Sequence, residues 1–473
     1  MSIDDLLTEV SSYIKNCDKI KKAYEIASLA HKNQKRDSGE PYIIHPLNVC
    51  MNLTKFHADE ATLCAGLLHD VVEDTDYTLE DIVTLFGSEV AFLVDGVTKI
   101  SNLHFHNKDE ATNANIRRLI NSLNDDVRIM IIKLCDRLHN MQTLKYKPIE
   151  KQIRNAEETL NIFVPIAYEI GAFRIKCDLE DLSLYYLKPK IYEKLKNELD
   201  NISKVYETCI NISLNDVKDI LEKNGINYDF RVKIINVYHL YNKLNRGYKL
   251  NNIHDIVNFK IVVGDETTCY RVLGLIHKLY TPVNNKFKDY IACPKTNQYR
   301  SLHTTVFAPD NRLLQFQIKT TVMDQINTFG LGAYFDLYKK KASAKMKEEL
   351  KENYQFFNSI QDLNTVDMSD KDFLDRVQQE IFTNNIYVYS LNGEIFELPY
   401  GSTVIDFAYK IHTDIGNHLY KAYVNGKEVK LTQVLNTKDR IHLVQKDNCY
   451  PTEEWLEHVA TSHAKRKIKE YLK

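Results

Sequence analysis

Through the first 190 residues or so, apolar side chains recur at intervals of three and four. IRRLINSL (116–123), DVRIMIIKLCDRLHNM (126–141) and AEETLNIFVPIAYEI (156–170) each carry an apolar stripe on one face, separated by short polar breaks. That spacing predicts helix after helix. From about Asn224 the period changes. NYDFRVKII, HDIVNFKIVVG and RLLQFQIKTT alternate in strand fashion, with helix-like NVYHLYNKLNRG and TCYRVLGLIHKLY between them. This predicts a mixed α+β domain ending near Tyr338. A charged stretch, KKKASAKMKEELKENY, then reads as a solvated helical connector. Short strands and turns return from Ile386 to Val444, with NG dipeptides at 392–393 and 425–426 marking hairpins. The pattern divides the chain into an all-α domain (1–190), a mixed α+β domain (191–342), a helical connector (343–383), a small β-grasp-like module (384–448) and a basic helical tail (449–473).

Length agrees with that division, since 473 residues suggest about three domains and 44% hydrophobic residues can bury substantial cores. A net charge of −2 argues against a protein that coats nucleic acid through general basicity. Nine cysteines are scattered as singles without CxxC spacing, so they read as thiols of a reducing compartment. The N-terminus, MSIDDLLTEV, is acidic and lacks a long apolar core, and no apolar run is long enough to cross a bilayer. A soluble, cytoplasmic protein with no membrane partner is expected.

Residues 67–75, LLHDVVEDT, place a His-Asp pair and then a Glu-Asp pair in an otherwise apolar helical stretch. Burying such groups costs several kcal/mol unless something pairs with them. A satisfied core histidine is the simpler account of one imidazole, but other candidates stand nearby. His45 lies just before Pro46, and Asp136 sits on an apolar helix with His139 and Asn140 beside it. His45, His69, Asp70 and Asp136 would offer two imidazoles and two carboxylates to one ion. Such a set suits a divalent metal that keeps water, with manganese plausible, and the lack of thiolate argues against structural zinc. Water activated by such an ion is a strong nucleophile near neutral pH, which fits phosphoester hydrolysis. Glu73 faces the same side one turn after Asp70, and with Asp74 it is placed to orient or deprotonate that water or to assist the leaving group.

The order His, His-Asp, Asp is the general HD phosphohydrolase signature. The words RDSGEPYIIHP (36–46), LLHDVVEDT, VDGVTKI (94–100) and KLCDRLHNMQTL (133–144) closely resemble the hydrolase domain of RelA/SpoT homologues, the enzymes of the alarmone (p)ppGpp. The resemblance implies that His45, His69, Asp70 and Asp136 hold Mn²⁺ and that Glu73 and Asp74 serve the hydrolytic water. It also implies that Arg36 and Ser38 contact the nucleotide, with Asn140 and Thr143 near its ribose and phosphates. Asp37 stands where many relatives carry Lys, and Gln142 where many carry Arg.

KFKDYIACPKTNQYRSLHTTV (286–306) is similar to the nucleotide-acceptor segment of the family's synthetase domain. Its chemistry is sensible in its own right: Lys286, Lys288 and Lys295 supply charge for phosphates, Tyr299 a stacking face for a purine, and Asn297 a reader of a base edge. HDIVNFKIVV resembles the strand bearing a magnesium-binding aspartate, here Asp255, and His303 would face a transferred phosphate. Two departures matter. The family's Glu-Val-Gln-Ile-Arg-Thr strand appears as Gln315-Phe316-Gln317-Ile318-Lys319-Thr320, so an amide replaces the carboxylate expected to complete the Mg²⁺ site and take a proton. Arg231 and Lys233, expected to grip ATP, lie about two residues further from NVYHLYNKL than the pattern wants.

LPYGSTVIDFAYKIHTDIGNHLYKAYVNGKEVKL (398–431) resembles the family's TGS domain. The resemblance admits tRNA as a partner, through a residue such as His412. Because the chain stops at Lys473, the further regulatory regions of long relatives are expected to be absent and stable ribosome binding is not expected. The fold class implied is multidomain α and α+β: an all-α HD-type hydrolase domain, a nucleotidyltransferase-like synthetase domain and a β-grasp TGS domain. The expected function is Mn²⁺-dependent 3′-pyrophosphohydrolysis of (p)ppGpp to GDP or GTP, with an impaired synthetase. The alternatives are a bifunctional enzyme that also uses ATP, a nucleotide- or tRNA-sensing regulatory protein, and a hydrolase of adenosine analogues.

Overall fold

The computed structural model describes residues 2–101, 126–250, 253, 255–295, 297–309, 312–333 and 385–472. The stretch 116–123 and the connector 343–383 lie outside the described residues. The chain forms two compact units, one comprising the described residues up to 333 and the other those from 385 onward.

The first half of the larger unit is helical. Helix Glu60–Leu68 packs against Asp18–Ala30, Ile44–Thr54 and Ser88–Ser101. Surrounded in this way, it buries every residue from Thr62 to Leu68, which is why its sequence lacks an alternation of polar and apolar faces. Side chains fix the starts of these helices. Asp59 accepts from Thr62 N, and Thr78 and Asp81 form a reciprocal capping box at the start of Leu79–Phe86. Helix Val127–Gln142 closes the layer and buries ten of its sixteen residues.

Helices continue past the expected change near residue 190. Helix Pro189–Lys223 opens with a proline at its first position, where no backbone donor is missed. Its Leu195, Leu199, Cys209, Val217 and Leu221 belong to the core of the following sheet, so this helix packs with the α+β half. The strands are β1 (Asp229–Ile234), β2 (Val257–Val263), β3 (Thr281–Pro282), β4 (Lys288–Asp289), β5 (Leu302–Phe307) and β6 (Leu313–Thr320). They form a six-stranded sheet in the order β1-β2-β6-β5-β3, with β4 also on β5. The β2–β6 pair is parallel and sets Asn258 opposite Gln315.

The two halves meet at a close backbone contact. Leu331 N donates to Ile170 O at 2.8 Å, and Gly330 lies against Gly171. Gly330 has φ +57 and ψ −132, a region that side chains rarely adopt. A Cβ there would lie 1.9 Å from Ile170 O and 2.6 Å from Gly171 Cα. Phe56 and Phe329 add an edge-on ring contact at 5.8 Å.

The smaller unit is a five-stranded sheet, β10-β9-β11-β7-β8. Its strands are β7 (Asn385–Ser390), β8 (Ile395–Pro399), β9 (Leu419–Val424), β10 (Lys427–Val429) and β11 (Arg440–Gln445), packed under helix Val404–Ile411. Asn425 and Gly426 both have positive φ and join β9 to β10, as the NG pair predicts. Asp406, almost fully buried, accepts from Thr403 at one helix start and from Ala460 N and Thr461 near the tail. The tail helix Ser462–Leu472 buries Ala464 and Ile468 in the same core. No helix among the described residues is long and apolar enough to cross a membrane.

Gly330→Ala is expected to cost about 3 kcal/mol or more, because a backbone clash adds to an unfavourable φ/ψ. Gly225→Ala, at φ +65 but with nothing within 4 Å, should cost about 1 kcal/mol. Thermal or urea unfolding of the two variants checks the difference, and equal losses would contradict this reading of the junction.

Candidate functional site

His45 sits at the start of helix Ile44–Thr54, His69 caps the end of Glu60–Leu68, and Asp70 follows it. Helix Val127–Gln142 brings up Asp136. His45 and His69 are each 1% exposed, and Asp136 is 4% exposed. His45 Nε2 lies 3.2 Å from Asp136 Oδ1 and 3.6 Å from Asp70 Oδ2, while His69 Nε2 lies 3.2 Å from Asp70 Oδ1. One donor atom from each of His45, His69 and Asp70 falls within 4.8 Å of the others.

A hydrogen bond at the far nitrogen sets the tautomer of His69 and orients the ring of His45. His69 Nδ1 is 2.9 Å from Gly66 O, which requires its proton there and leaves Nε2 as a lone pair. That Nε2 is buried and has no hydrogen-bond partner. His45 Nδ1 is 2.7 Å from His139 Nδ1, so one of the two rings donates to the other. Burial holds both His45 and His139 below the ordinary imidazole range, His139 at about 3, so both are neutral at pH 7. Burial alone would raise Asp136, but Lys133 at 2.7 Å and His45 outweigh it and hold the carboxyl well below its usual range. Asp70 is lowered too, with His69 and His45 outweighing its burial. Lone pairs and carboxylates that face one another in a dry site repel unless a cation lies between them. Nitrogen and carboxylate donors without thiolate fit a divalent ion.

Glu73 and Asp74 follow on the short helix Val71–Asp74. Partial burial, then Asp70 and Asp74, raise the Glu73 carboxyl above the usual range. Asp74 Oδ2 lies 3.2 Å from the Tyr42 hydroxyl. Beside this cluster Arg36, Ser38, Asn140 and Thr143 line one pocket of about 330 Å³, together with Arg137 and Lys147. Arg36 Nη2 donates to Asn140 Oδ1 at 2.8 Å and to Thr143 Oγ1 at 3.3 Å, while Ser38 donates to Glu40. Asp37 is paired with Lys147 at 2.6 Å, so the carboxylate that replaces the expected Lys is neutralised across the pocket wall.

The α+β half gathers a second set of residues. Asp255 lies 2.7 Å from Lys243 Nζ and 3.6 Å from His239, and these partners outweigh burial and hold it far below the usual carboxyl range. Gln315 offers an amide where a carboxylate was expected. Its Oε1 accepts from Gln317 at 3.3 Å, and Gln317 donates also to Asn258 at 3.1 Å, forming a row of amides. Arg231 bonds Asp229 and, at 3.0 Å, Asp324, while Lys233 is exposed opposite Asn258. Lys319, 2% exposed, also binds Asp324 at 2.7 Å.

The acceptor segment is arranged differently from expectation. Asn297 is buried and donates to Tyr168 O of the helical half, so its amide is not presented as a base reader. Tyr299 bonds His303 Nε2 at 2.7 Å and meets Phe173 edge-on at 5.8 Å. Lys295 stands 5.2 Å from the Tyr299 ring centroid, over the face expected to stack on a purine. Burial and Lys295 hold His303 at about 3, so it faces any phosphate as a neutral imidazole. Lys286 and Lys288 are exposed. His412 is exposed at the end of Val404–Ile411, where its Nδ1 accepts from Asp414 N.

Sequence reasoning missed Tyr42, Lys133, Lys243 and the Lys260–Lys319–Asp324 group. A signal existed for two of them: Tyr42 stands one turn before His45, and Lys133 one turn before Asp136 on the same helix face. Nothing local marks Lys260 and Lys319, which the parallel β2–β6 pairing brings together.

An all-α layer with a histidine–aspartate cluster, a mixed sheet lined with cations and a β-grasp module together define a multidomain protein with an HD-type centre. The HD domain profile matches residues 23–173, the profile of a region found in RelA / SpoT proteins matches 230–343, and the TGS domain profile matches 386–445. The chain is 38% identical over 460 residues to a GTP pyrophosphokinase of Myxococcus xanthus, covering 96% of this chain and 60% of that one. It is 38% identical to a guanosine-3′,5′-bis(diphosphate) 3′-pyrophosphohydrolase of Spiroplasma citri (99% and 65% covered). It is 39% identical to a protein of the same name from Aquifex aeolicus (99% and 67% covered). The chain belongs to the RelA/SpoT homologue family. It spans about two thirds of the length of these relatives or somewhat less.

Burial, then Lys319 and Lys233, pull the Lys260 ammonium down to about 8. An anion on this face favours the protonated form, so affinity is present below that value and falls as pH rises through it. Inorganic pyrophosphate is expected to bind several-fold more weakly at pH 9 than at pH 7. Lys260→Met should remove that difference, as titration calorimetry at the two pH values would register.

Proposed function

We propose that this chain is a metal-dependent 3′-pyrophosphohydrolase of (p)ppGpp, with Mn²⁺ as its ion, returning GDP or GTP plus pyrophosphate. The observation that carries the reading is the cluster of His45, His69, Asp70 and Asp136, whose converging nitrogen and carboxylate donors suit a divalent cation next to a pocket rich in basic groups. The names of the Spiroplasma and Aquifex relatives support the same substrate. A divalent ion held there would supply Lewis-acid polarisation of the attacking water and of the phosphoryl oxygens. Arg36, steadied by Asn140 and Thr143, and Ser38 would bind the nucleotide. Glu73, whose raised carboxyl is a stronger base than an ordinary carboxylate, would accept the proton of the water, and Asp74 would attend the proton that ribose O3′ needs as it leaves. His139 would orient His45, and Lys133 would offset the charge of Asp136.

We propose further that the synthetase-like half is impaired. Asp255 is committed to Lys243 and His239, Gln315 is one of a row of amides, and the face of Tyr299 lies under Lys295. An amide cannot accept the proton of an attacking 3′-hydroxyl, and losing general-base help typically costs about 10²–10⁴ in rate.

Asp70→Asn and His69→Ala are expected to abolish ppGpp hydrolysis with the fold intact by circular dichroism. Chelation should do the same, with Mn²⁺ restoring activity. Glu73→Gln should keep its metal and lose about 10²-fold in turnover. A chelated sample with full activity would refute the metal reading.

The synthetase half is tested in an Asp70→Asn background, where product survives. Pyrophosphate transfer from ATP to GDP should be undetectable with Gln315 and should be partly recovered by Gln315→Glu. Robust transfer with Gln315 in place would make the chain bifunctional, as the name of the Myxococcus relative suggests.

A further inference from the structure

Tyr42 is neither a candidate ligand nor a candidate acid of the hydrolase centre, yet its side chain touches three parts of it. Its hydroxyl lies 2.9 Å from Asp70 Oδ2 and 3.2 Å from Asp74 Oδ2. Its ring lies 5.6 Å from the Arg36 guanidinium, which in turn bonds Asn140. One residue therefore joins a candidate metal ligand, a candidate acid and a nucleotide-contacting arginine.

The surroundings hold this side chain in place. The chain reverses between Lys35 and Pro41, which form an isolated bridge, and Tyr42 N donates to Gln34 O at 3.1 Å. The Tyr42 ring stacks on His31 at 4.6 Å, and His31 Nδ1 is 2.7 Å from Gln34 Oε1. Gln34 Nε2 then donates to the Asp74 carbonyl at 2.9 Å. Asp74 is thus gripped twice from this turn, through its backbone by Gln34 and through its carboxylate by Tyr42. Packing alone would need only the ring, and the hydroxyl would then be free to point elsewhere.

We propose that Tyr42 is a positioning residue of the hydrolase centre: its hydroxyl fixes Asp70 and Asp74 relative to each other, and its ring supports Arg36. This rests on the hydrolase reading. Asp70 presents Oδ1 toward His69 and Oδ2 toward His45 and Tyr42, so a donor on Oδ2 sets the plane in which the carboxylate meets an ion. Hydrogen-bonding partners of this kind typically change metal affinity or activity by about 10–100-fold when removed. The single hydroxyl proton serves one carboxylate at a time. Asp70 is nearer, and Asp74, 3.2 Å from the same oxygen, is the alternative acceptor.

Tyr42→Phe keeps the ring, the stack on His31 and the contact with Arg36 while deleting the hydroxyl. It is expected to weaken Mn²⁺ binding, followed by the electron paramagnetic resonance of free Mn²⁺, by about 10-fold or more. Its kcat should fall by a similar factor with KM for ppGpp within about twofold and Tm near that of the parent. Tyr42→Leu, which also removes the ring beneath Arg36, should raise KM as well. In an Asp74→Asn background, Tyr42→Phe should still weaken Mn²⁺ binding but should cost less in kcat. Parental Mn²⁺ affinity and kcat in Tyr42→Phe would overturn the proposal, as would a loss in KM alone. A parent that binds Mn²⁺ but leaves ppGpp intact would sink the hydrolase reading, and the Mn²⁺ titration would still decide for or against Tyr42.

Discussion

Everything in the helical half is arranged around a repulsion. Four ligand-type side chains from three separated segments converge in a dry space. His69 Nε2, whose ring carries its proton at Nδ1, lies 3.2 Å from Asp70 Oδ1, and His45 Nε2 lies 3.2 Å from Asp136 Oδ1. In water such groups would be screened, whereas here His45, His69 and Asp136 are buried, Asp70 is mostly so, and Lys133 is the positive charge set against Asp136. A fold tolerates that only where neighbouring contacts hold the segments together or a cation completes the set. The all-round apolar surface of Glu60–Leu68 provides the first, since a helix buried on every side cannot swing His69 away. The hydrogen bond that His69 donates to Gly66 O, and the one between His139 and His45, supply the orientation.

The same economy explains what surrounds the cluster. Asp136 accepts from Lys133 through Oδ2 and from Asn140 through Oδ1, and Asn140 accepts from Arg36. The charge of one aspartate is thereby relayed to the edge of the pocket lined by Arg36. Arg137, next in sequence, turns to the other side of its helix, where it binds Glu158, Thr159 and the Asn155 carbonyl. Thr159 opens a short π-helical segment, a local widening often associated with functional sites. Here the widening brings Thr159 to Arg137, which shares the pocket wall with Arg36.

Much of this is legible in the sequence, because the groups are strung along short stretches. LLHDVVEDT and KLCDRLHNM each hold several candidate groups within a few residues, and their resemblance to the family's words, more than the spacing, singles out His69, Asp70 and Asp136 as candidates. The strands of the α+β half are legible from their alternation, and the hairpin at 425–426 from its turn residues. What escapes is set by pairing between distant segments. Tyr299 looks like an open stacking platform, but Phe173 of the helical half meets its ring edge-on where the two halves pack. Asn297 likewise looks like a base reader, yet its amide is spent on Tyr168 O. No local pattern marks such contacts, since each partner comes from more than a hundred residues away and from the other half of the unit.

The contrast between the two halves is finally one of charge. In the helical half, carboxylates outnumber nearby cations, and the deficit is of the kind a divalent ion fills. On the sheet face the balance is reversed. Arg231, Lys260 and Lys319 surround Asp324, and Asp255 already has Lys243. An active magnesium site would need carboxylate oxygens free to bind the ion. Gln315 and its amide neighbours Gln317 and Asn258 supply neutral dipoles in their place, which is the ground of the proposal that phosphoryl transfer is impaired. Lys260 is depressed to about 8, first by burial and then by its cationic neighbours Lys319 and Lys233, which Asp324 only partly offsets. The chain therefore carries two charge patterns of opposite sign, one rich in carboxylates around His45 and His69 and one rich in cations around Asp324, and the proposed division between a hydrolase and an impaired synthetase rests on that difference.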